Sequence, residues 1–270
     1  MNSFSPTIQA PNHLLAIWPG IRAEARQASI AEPGLASFYY CTILNHASFQ
    51  DAITYTLASL LAGPDLSAML VREVCQEALA EQPGLEVQML RDIYAWYDRD
   101  AACDQYMVPL LHFKGFHALQ SHRISHWLWQ QGREALALFF QNRISERFGV
   151  DIHPAAQMGS GIMIDHATGV VIGETAIVHD DVSMLHSITL GGSGCQSVKR
   201  HPTIHKGVLM GAGCKILGNV DVGENAKVAA GSVVIEAVPS GVTVAGVPAK
   251  IVGRGRTTKP AESMDQCLPD

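Results

Sequence analysis

A short aliphatic residue recurs at about every sixth position in the second half of this chain, and this repeat limits the fold more than any other feature. Gly, Ala, Ser and Thr fill many of the places between. A six-residue spacing fits neither the helical repeat of about 3.6 residues nor the strand repeat of about two. It is typical of a parallel β-helix, in which each hexapeptide forms one side of a triangular coil and its aliphatic side chain points inward. The repeat positions are Ile152, Met158, Ile164, Ile172, Val178, Met184, Ile204, Met210, Ile216, Val222, Val228 and Val234.

The repeat is interrupted twice. A slip of two residues separates Ile164 from Ile172, and the segment Gly191 to Pro202 breaks the phase altogether. Insertions in solenoids form loops on one face, and that face is often the binding face. We therefore look for binding residues beside the second interruption, Gly191 to Pro202.

The first half of the chain has helical periodicity, with Pro-Gly pairs between the helices. One long helix is expected from about Val108 to Gln131. We predict an α+β protein: an N-terminal α-helical domain (1–149), a C-terminal left-handed parallel β-helix (150–253) and a mobile tail (254–270). The long helix carries four histidines, His112, His117, His122 and His126. No H-E-x-x-H spacing accompanies them, so packing and hydrogen bonding are favoured over a metal site.

Composition narrows the class of function. The formal net charge is −6 and the chain has no basic stripe, which argues against a nucleic-acid partner. No apolar run is long enough to cross a membrane, and no basic-then-apolar signal opens the chain, so we expect a cytoplasmic location. The six cysteines are scattered, which indicates reduced thiols and no metal framework.

His166, in the segment Asp165–Gly169, is the candidate catalytic base. An imidazole titrates near neutral pH, so it can take a proton from an alcohol and pass it to a leaving group. A base needs an orienting carboxylate, and Asp151 from the preceding coil is one candidate. Asp165 is the other, although neighbouring residues on a strand point to opposite faces. A corner histidine bonded to backbone is an equally good interpretation of the spacing.

Several segments together resemble the serine O-acetyltransferases, which carry out the first committed step of cysteine synthesis. Hexapeptide repeats are shared by many acyltransferases, so the helical domain with the DHATG and RHP segments makes the resemblance specific. It extends from the helical region to about Met264. The segments that carry it are 114–120 (KGFHALQ), 151–156 (DIHPAA), 165–169 (DHATG), 173–176 (GETA), 189–192 (TLGG), 200–202 (RHP) and 245–249 (AGVPA).

The resemblance implies direct transfer of an acetyl group from acetyl-CoA to the hydroxyl of L-serine, with no permanently bound cofactor and no metal. His166 would be the base and Asp151 its partner. Carboxylates would bind the serine ammonium group and an arginine its carboxylate. The positions matched to the serine site are Asp100, Asp165, Arg200 and His201. Those matched to the acetyl-CoA site are Gly192, Ala212, Lys227 and Ala230. Lys227 is the weakest of these, since it also fits a surface charge. Cys195 is expected to be incidental, because this transfer needs no nucleophilic thiol.

The same resemblance implies a homotrimer, or a dimer of trimers, with active sites between neighbouring β-helices. Many relatives end in an isoleucine that binds O-acetylserine sulfhydrylase. This sequence ends at Asp270, so we expect weak or no complex with that enzyme.

Two other classes of function stay open at this point. One is a hexapeptide acetyltransferase acting on a sugar or antibiotic hydroxyl, which the acidic acceptor positions disfavour. The other is a β-helix scaffold that binds partners, or metal held by histidines across subunits. The histidines concerned are His153, His166, His179, His186 and His201.

Overall fold

The protein, described by a computed structural model over residues 12–194, 198–255 and 257–268, begins with a bundle of helices. Expectations for the first residues, Cys195 and Asp270 lie outside these ranges. A 3₁₀ turn (Pro33–Leu35) and a π-helical turn (Tyr40–Leu44) interrupt the bundle. The helices are α1 (Asn12–Leu15), α2 (Ile17–Ala31), α3 (Ala36–Tyr39), α4 (Phe49–Leu61), α5 (Ala68–Glu81), α6 (Gly84–Arg99), α7 (Met107–His112), α8 (Lys114–Gln130), α9 (Glu134–Phe148) and, near the end of the chain, α10 (Pro260–Ser263).

Local signals in the sequence set several helix ends. The hydroxyl of Ser48 accepts a hydrogen bond from Asp51 N–H at the start of α4, and Ser67 does the same for Leu70 N–H at α5. Helix α9 is capped by Gly149, whose φ of 66° is left-handed and suits glycine. The next residue, Val150, already belongs to the first strand.

The single long helix expected from about Val108 to Gln131 is wrong. Phe113 adopts an extended conformation (φ −92°, ψ 106°) and divides the segment into α7 and α8. Its ring packs against Trp96, with ring centroids 4.6 Å apart. Burial of this aromatic side chain against α6 overrides the helical pattern, and it lets α8 start directly against the solenoid.

The second half of the chain is a parallel β-solenoid of about five turns, which confirms the predicted fold class. Its strands form three parallel ladders, one for each side of the coil. The five-stranded ladder is β1 (Val150–Ile152), β4 (Val170–Ile172), β7 (Thr189–Gly191), β10 (Lys215–Leu217) and β13 (Val233–Val234). The four-stranded ladder is β2 (Gln157–Met158), β5 (Ile177–Val178), β8 (Thr203–Ile204) and β11 (Asp221–Val222). The six-stranded ladder is β3 (Met163–Ile164), β6 (Ser183–Met184), β9 (Leu209–Met210), β12 (Lys227–Val228), β14 (Val242–Gly246) and an antiparallel edge strand, β15 (Ala249–Arg254).

The repeat positions form the core of the solenoid, as the six-residue period predicts. All of them are buried except Met158, which is half-buried against the same core. Leu190, which the period did not include, is also fully buried. Each aliphatic side chain packs on those of the coils above and below, so the coils are held in one register.

The register shows where the interruptions fall. Val150 pairs with Val170, so the first coil takes twenty residues, whereas Val171 pairs with Thr189 eighteen residues later. The two additional residues lie in the turn between β3 and β4. The second interruption lies between β7 and β8, and the pairing of Thr189 with Lys215 steps over it.

A buried ion pair joins the helices to the solenoid. The guanidinium of Arg123 in α8 donates to the Asp92 carboxylate in α6 at 2.7 Å, and both side chains are buried. The other Asp92 oxygen accepts from Ile162 N–H at 2.9 Å, and Arg123 also donates to the carbonyl of Gly159 at 2.7 Å. These bonds to solenoid backbone fix how the two halves meet. No helix in the described ranges has the length and apolar character needed to cross a membrane.

The histidines of α8 pack inside the helical bundle or against the solenoid. Each of His117, His122 and His126 places a ring nitrogen 2.7–3.2 Å from a backbone carbonyl oxygen. The expected packing and hydrogen-bonding role is confirmed for these three. His112 differs, because its ring is exposed and stacks against Phe38.

Burial of His117 makes stability depend on pH. Burial lowers the pKa of this side chain from 6.5 to about 4. As pH falls, the unfolded chain therefore binds the proton first, so stability present above pH 6.5 is lost between 6.5 and about 4. The loss from this one group is about 3 kcal/mol.

We expect His117→Gln to reduce this pH dependence, since glutamine keeps a donor for the Leu110 carbonyl oxygen but does not titrate. Urea unfolding followed by circular dichroism at pH 7 and pH 4.5 measures the difference. An unchanged difference between the two pH values in the variant would contradict the assignment.

Candidate active site

The turn between β3 and β4 carries His166 in an unusual backbone conformation. His166 and Ala167 both have positive φ, 56° and 58°. The Ala167 N–H donates to the Asp165 carbonyl at 2.6 Å, and the Thr168 N–H donates to the His166 carbonyl at 2.7 Å. This tight turn leaves the His166 side chain 72% exposed at a corner of the solenoid. Its imidazole is therefore open to a ligand.

Two acidic residues and a second histidine lie around this imidazole. The Nε2 atom of His166 is 3.5 Å from Oδ2 of Asp165. The expectation that neighbouring residues face opposite ways is wrong here, because left-handed His166 lies outside the strand. Burial raises the pKa of Asp165, His166 lowers it, and the charge of nearby Asp100 raises it further. The ring of His186 lies 5.9 Å from that of His166.

Asp151, in the first coil, has a different partner. Val150 and Ile152 are buried and Asp151 points outward between them. Its Oδ1 accepts a hydrogen bond from Gln141 Nε2 at 2.6 Å. Over the described ranges, the carboxylate that forms an ion pair with His166 belongs to Asp165, and Asp151 forms none with it.

A second cluster gathers Arg200 and His201 with residues that the sequence analysis did not single out. Arg200 Nη2 donates to the carboxylate of Glu174. This bond lowers the pKa of Glu174. The hydroxyl of Thr175 accepts from the backbone N–H groups of Arg200 at 3.0 Å and His201 at 3.1 Å. Thr175 thus holds the backbone of Arg200 and His201 in place.

The His201 ring is fixed in one tautomer by its neighbours. The Thr175 N–H donates to Nδ1 at 3.2 Å, so Nε2 carries the ring proton. Burial lowers the pKa of His201, and the charge of Arg200 lowers it further, which keeps the ring neutral near pH 7. The ring lies directly on Gly173, where a Cβ atom would overlap the imidazole. Gly192 packs beside the same Nε2.

The two clusters occupy opposite ends of the five-stranded ladder. His166 and His186 lie in turns that lead into β4 and β7, whereas Glu174 and Arg200 lie in segments that follow these strands. One strand of three residues spans about 10 Å. Within one chain, the structure therefore brings Asp100, Asp165 and His166 together and keeps Arg200 and His201 apart from them.

Positions matched to acetyl-CoA follow the corner that carries His166. Backbone hydrogen bonds link the turns of successive coils: Ser187 N–H donates to Thr168 O, Gly213 N–H to His186 O, and Gly231 N–H to Ala212 O. Ala212 is half-buried and Ala230 exposed along this column of turns. Gly192 belongs instead to the second cluster.

Lys227 is not the surface charge that one interpretation allowed. Its residue exposure is 3%, and its amine donates to the carbonyl oxygens of Asp265 and Cys267. The chain after α10 therefore lies over the six-stranded ladder. It covers a small cavity lined by Gly211, Ala229 and Ala230, close to the column of turns.

A separate polar cleft of about 810 Å³ lies between the helices and the four-stranded ladder. Its lining includes His122, His126, His179 and His205 and none of the predicted site residues. The rings of His179 and His205 stack 5.2 Å apart at its edge. Across the described residues, no group of three or more His, Cys, Asp or Glu side chains is arranged to hold a metal ion.

Comparison with known proteins decides the family. A model described as "Serine acetyltransferase, N-terminal" matches residues 17–121, and one for six bacterial transferase hexapeptide repeats matches 201–236. The serine acetyltransferase of Salmonella typhimurium is 55% identical over 250 residues, covering 93% of this chain and 92% of that protein. The chain belongs to the serine acetyltransferase family. It is an acyltransferase, and the suspected resemblance is confirmed.

Solved structures of this family match the whole architecture. A serine acetyltransferase in complex with cysteine superposes with a TM-score of 0.93 at 49% identity, covering 95% of this chain and all of the other. The enzyme of Brucella abortus in complex with coenzyme A gives 0.87 at 52% identity, covering 88% and 96%. Both helices and solenoid are thus shared with serine acetyltransferases.

Sequence reasoning missed Glu174, Thr175 and His186 as parts of the site. Glu174 and Thr175 stood in a quoted motif, but their partners lie 25 or 26 residues further on and meet them only through coil stacking. His186 is twenty residues after His166, which equals the length of the first coil. That spacing was the available signal.

We expect Thr175→Val to weaken binding of the acceptor. The isosteric change removes the acceptor for two backbone N–H groups, so Arg200 and His201 lose their anchor. A loss of about tenfold in kcat/KM for serine corresponds to the net value of one to two hydrogen bonds. Initial rates at varied serine measure it, with Thr175→Ser as the matched control that keeps the hydroxyl. Equal kinetics for the valine and serine variants would refute the anchoring role.

Proposed function

We propose that the protein transfers acetyl from acetyl-CoA to the hydroxyl of L-serine, with His166 as the general base. The observation that carries this is an exposed imidazole beside two carboxylates, on the solenoid corner of a serine acetyltransferase. The product, O-acetyl-L-serine, is a precursor for cysteine. Relatives whose structures hold coenzyme A and cysteine support a site for a thioester donor and an amino acid.

In the proposed reaction His166 takes the proton of the serine hydroxyl as its oxygen attacks the thioester carbon. The carbonyl carbon becomes tetrahedral with a negative oxygen. When the carbon–oxygen double bond reforms, the carbon–sulfur bond breaks, and the imidazolium returns its proton to the departing thiolate. Atoms and charge balance without a covalent acyl-enzyme. Hydrogen-bond donors near the oxyanion would stabilise the intermediate, and His186, whose ring lies 5.9 Å from that of His166, is a candidate donor.

Asp151 is proposed to orient the His166 ring. It lies in β1, which pairs with the strand that follows the His166 turn, and it points outward from the solenoid. Its Gln141 bond uses one oxygen and leaves the other for the imidazole. Asp165 and Asp100 are then available for the serine ammonium group, which suits two half-buried carboxylates that lie near each other.

The serine carboxylate is proposed to bind Arg200 and His201 of a neighbouring copy. These two residues lie at the far end of the ladder from His166 in the same chain. Packing two solenoids side by side, corner to corner, brings the first cluster of one copy against the second cluster of the next. A closed ring of three copies makes three such sites. The trimer, or a dimer of trimers, is thus part of the catalytic proposal.

His166→Ala should lower kcat by about 10² to 10⁴, the usual contribution of a general base. Asp151→Asn should lower kcat by a smaller factor with little change in the KM for serine, because it orients the base. Asp165→Asn should mainly raise the KM for serine. Release of CoA thiol from acetyl-CoA, with and without L-serine, measures all three.

Each result has a clear opposite. Wild-type turnover in His166→Ala would show that His166 is not the base. Loss of kcat in Asp165→Asn, with none in Asp151→Asn, would make Asp165 the residue that orients the base and leave Asp151 without that role. Thiol release with sugar or aminoglycoside hydroxyls but not serine would favour the other acetyltransferase class.

Sharing of the site between copies predicts complementation. His166→Ala and Arg200→Ala chains, each inactive alone, should regain activity when co-expressed with different tags and purified as mixed oligomers. Random mixing leaves about one site in three intact in trimers that carry both tags, and about one in four in mixed hexamers. The control mixes His166→Ala with Asp165→Ala, which lie in one cluster and so should not complement. Failure of the first pair to complement would place the whole site within one chain.

A further inference from the structure

We propose that the start of α8 clamps the turn that carries His166, so that Gly115 and Lys114 are positioning residues for acetyl transfer. The clamp is defined as Lys114 and Gly115 on the helix and Ile164 to Thr168 on the turn. The proposal rests on the assignment of His166 as the base.

The turn needs support from outside. His166 and Ala167 are two successive non-glycine residues in the left-handed region, which side chains disfavour. Such strained conformations persist only where the surrounding structure fixes them, and they concentrate at functional sites. The solenoid bonds the backbone at the two ends of the turn, from Asp165 N–H to Met184 O and from Ser187 N–H to Thr168 O, but it leaves the side chains of His166 and Thr168 exposed. Ala167, by contrast, is fully buried.

Gly115 supplies the first contact. It lies in the first turn of α8, with its backbone directly against the Ile164 carbonyl and the Ala167 side chain. A Cβ atom at this position would overlap the Ile164 carbonyl oxygen and lie 3.1 Å from the Ala167 Cβ. The overlap is with backbone, which cannot rotate away. Glycine is therefore required for the helix to approach this closely, and the approach holds Ala167 in its left-handed conformation.

Lys114 supplies the second contact. Its ammonium group donates to the hydroxyl of Thr168, on the far side of the turn. The Thr168 hydroxyl lies 3.4 Å from the His166 carbonyl oxygen. Two adjacent residues of the helix thus contact the turn on both sides of the base, at Ile164 and at Thr168. The rest of α8 is fixed to the solenoid by Arg123, so the clamp has a rigid support.

Replacement of Gly115 by alanine should displace the turn and misplace the imidazole. A shift of about 1 Å at a reacting group can cost roughly 10- to 100-fold in rate. We expect that loss in kcat, with the KM for acetyl-CoA within about twofold of the wild type, since donor binding is proposed along other turns. The matched control is Gly84→Ala, because Gly84 also opens a helix but has no atom within 4 Å of an added Cβ.

A double-mutant cycle separates positioning of the base from other effects. If Gly115 acts through His166, adding Gly115→Ala to His166→Ala should change the residual rate by less than about twofold. A further loss comparable to that in the wild-type background would overturn the proposal. So would a Gly115→Ala variant whose kcat equals that of Gly84→Ala. If His166→Ala itself keeps wild-type activity, the base assignment fails instead, which is a distinct result.

Lys114→Met tests the clamp without placing a methyl group at position 115. It should lower kcat several-fold, and Lys114→Arg, which keeps a donor for Thr168, should restore most of it. Thr168→Val should lower kcat to the same extent as Lys114→Met. The double variant should lose no more kcat than either single variant. Wild-type kcat in Lys114→Met, at an unchanged melting temperature, would contradict the clamp even if Gly115→Ala does not fold.

Discussion

Stacking of one inward aliphatic side chain on the next, coil above coil, is the interaction on which the rest of this structure depends. Parallel backbone pairing holds each strand over its counterpart, as Val150 lies beside Val170 and Thr189 beside Lys215. Every outward side chain has its place set by this register, so residues far apart in sequence meet without any local signal.

The proposed site residues gather where the repeat is broken. The two additional residues between β3 and β4 create the turn that exposes His166. The loop between β7 and β8 brings Arg200 back to Glu174. Both interruptions leave the buried stack intact, because the strands on either side keep their pairing.

The six-residue period predicts the fold, and its break at 191–202 predicts a binding loop, but neither shows which side chains touch. Nothing in the DHATG letters says that His166 is left-handed, and that conformation is what turns it toward Asp165. The burial of Lys227 depends on carbonyl oxygens about forty residues later, which no local pattern reports. The break at Phe113 is also tertiary, since the ring leaves the helical pattern to pack on Trp96. Only the pairing of the strands shows that the cluster around His166 and the cluster around Arg200 lie at opposite ends of one ladder.

We interpret the helical domain and the solenoid as acting together to hold the strained turn at His166. A buried ion pair costs much of what it gains in stability, so the Asp92–Arg123 pair is of interest for its geometry. Both partners also bond solenoid backbone, at Ile162 and Gly159, and all these bonds form together in one relative placement of the two halves. We interpret the pair as an orienting contact. It fixes α8, and α8 in turn reaches Ile164 and Thr168 on either side of His166.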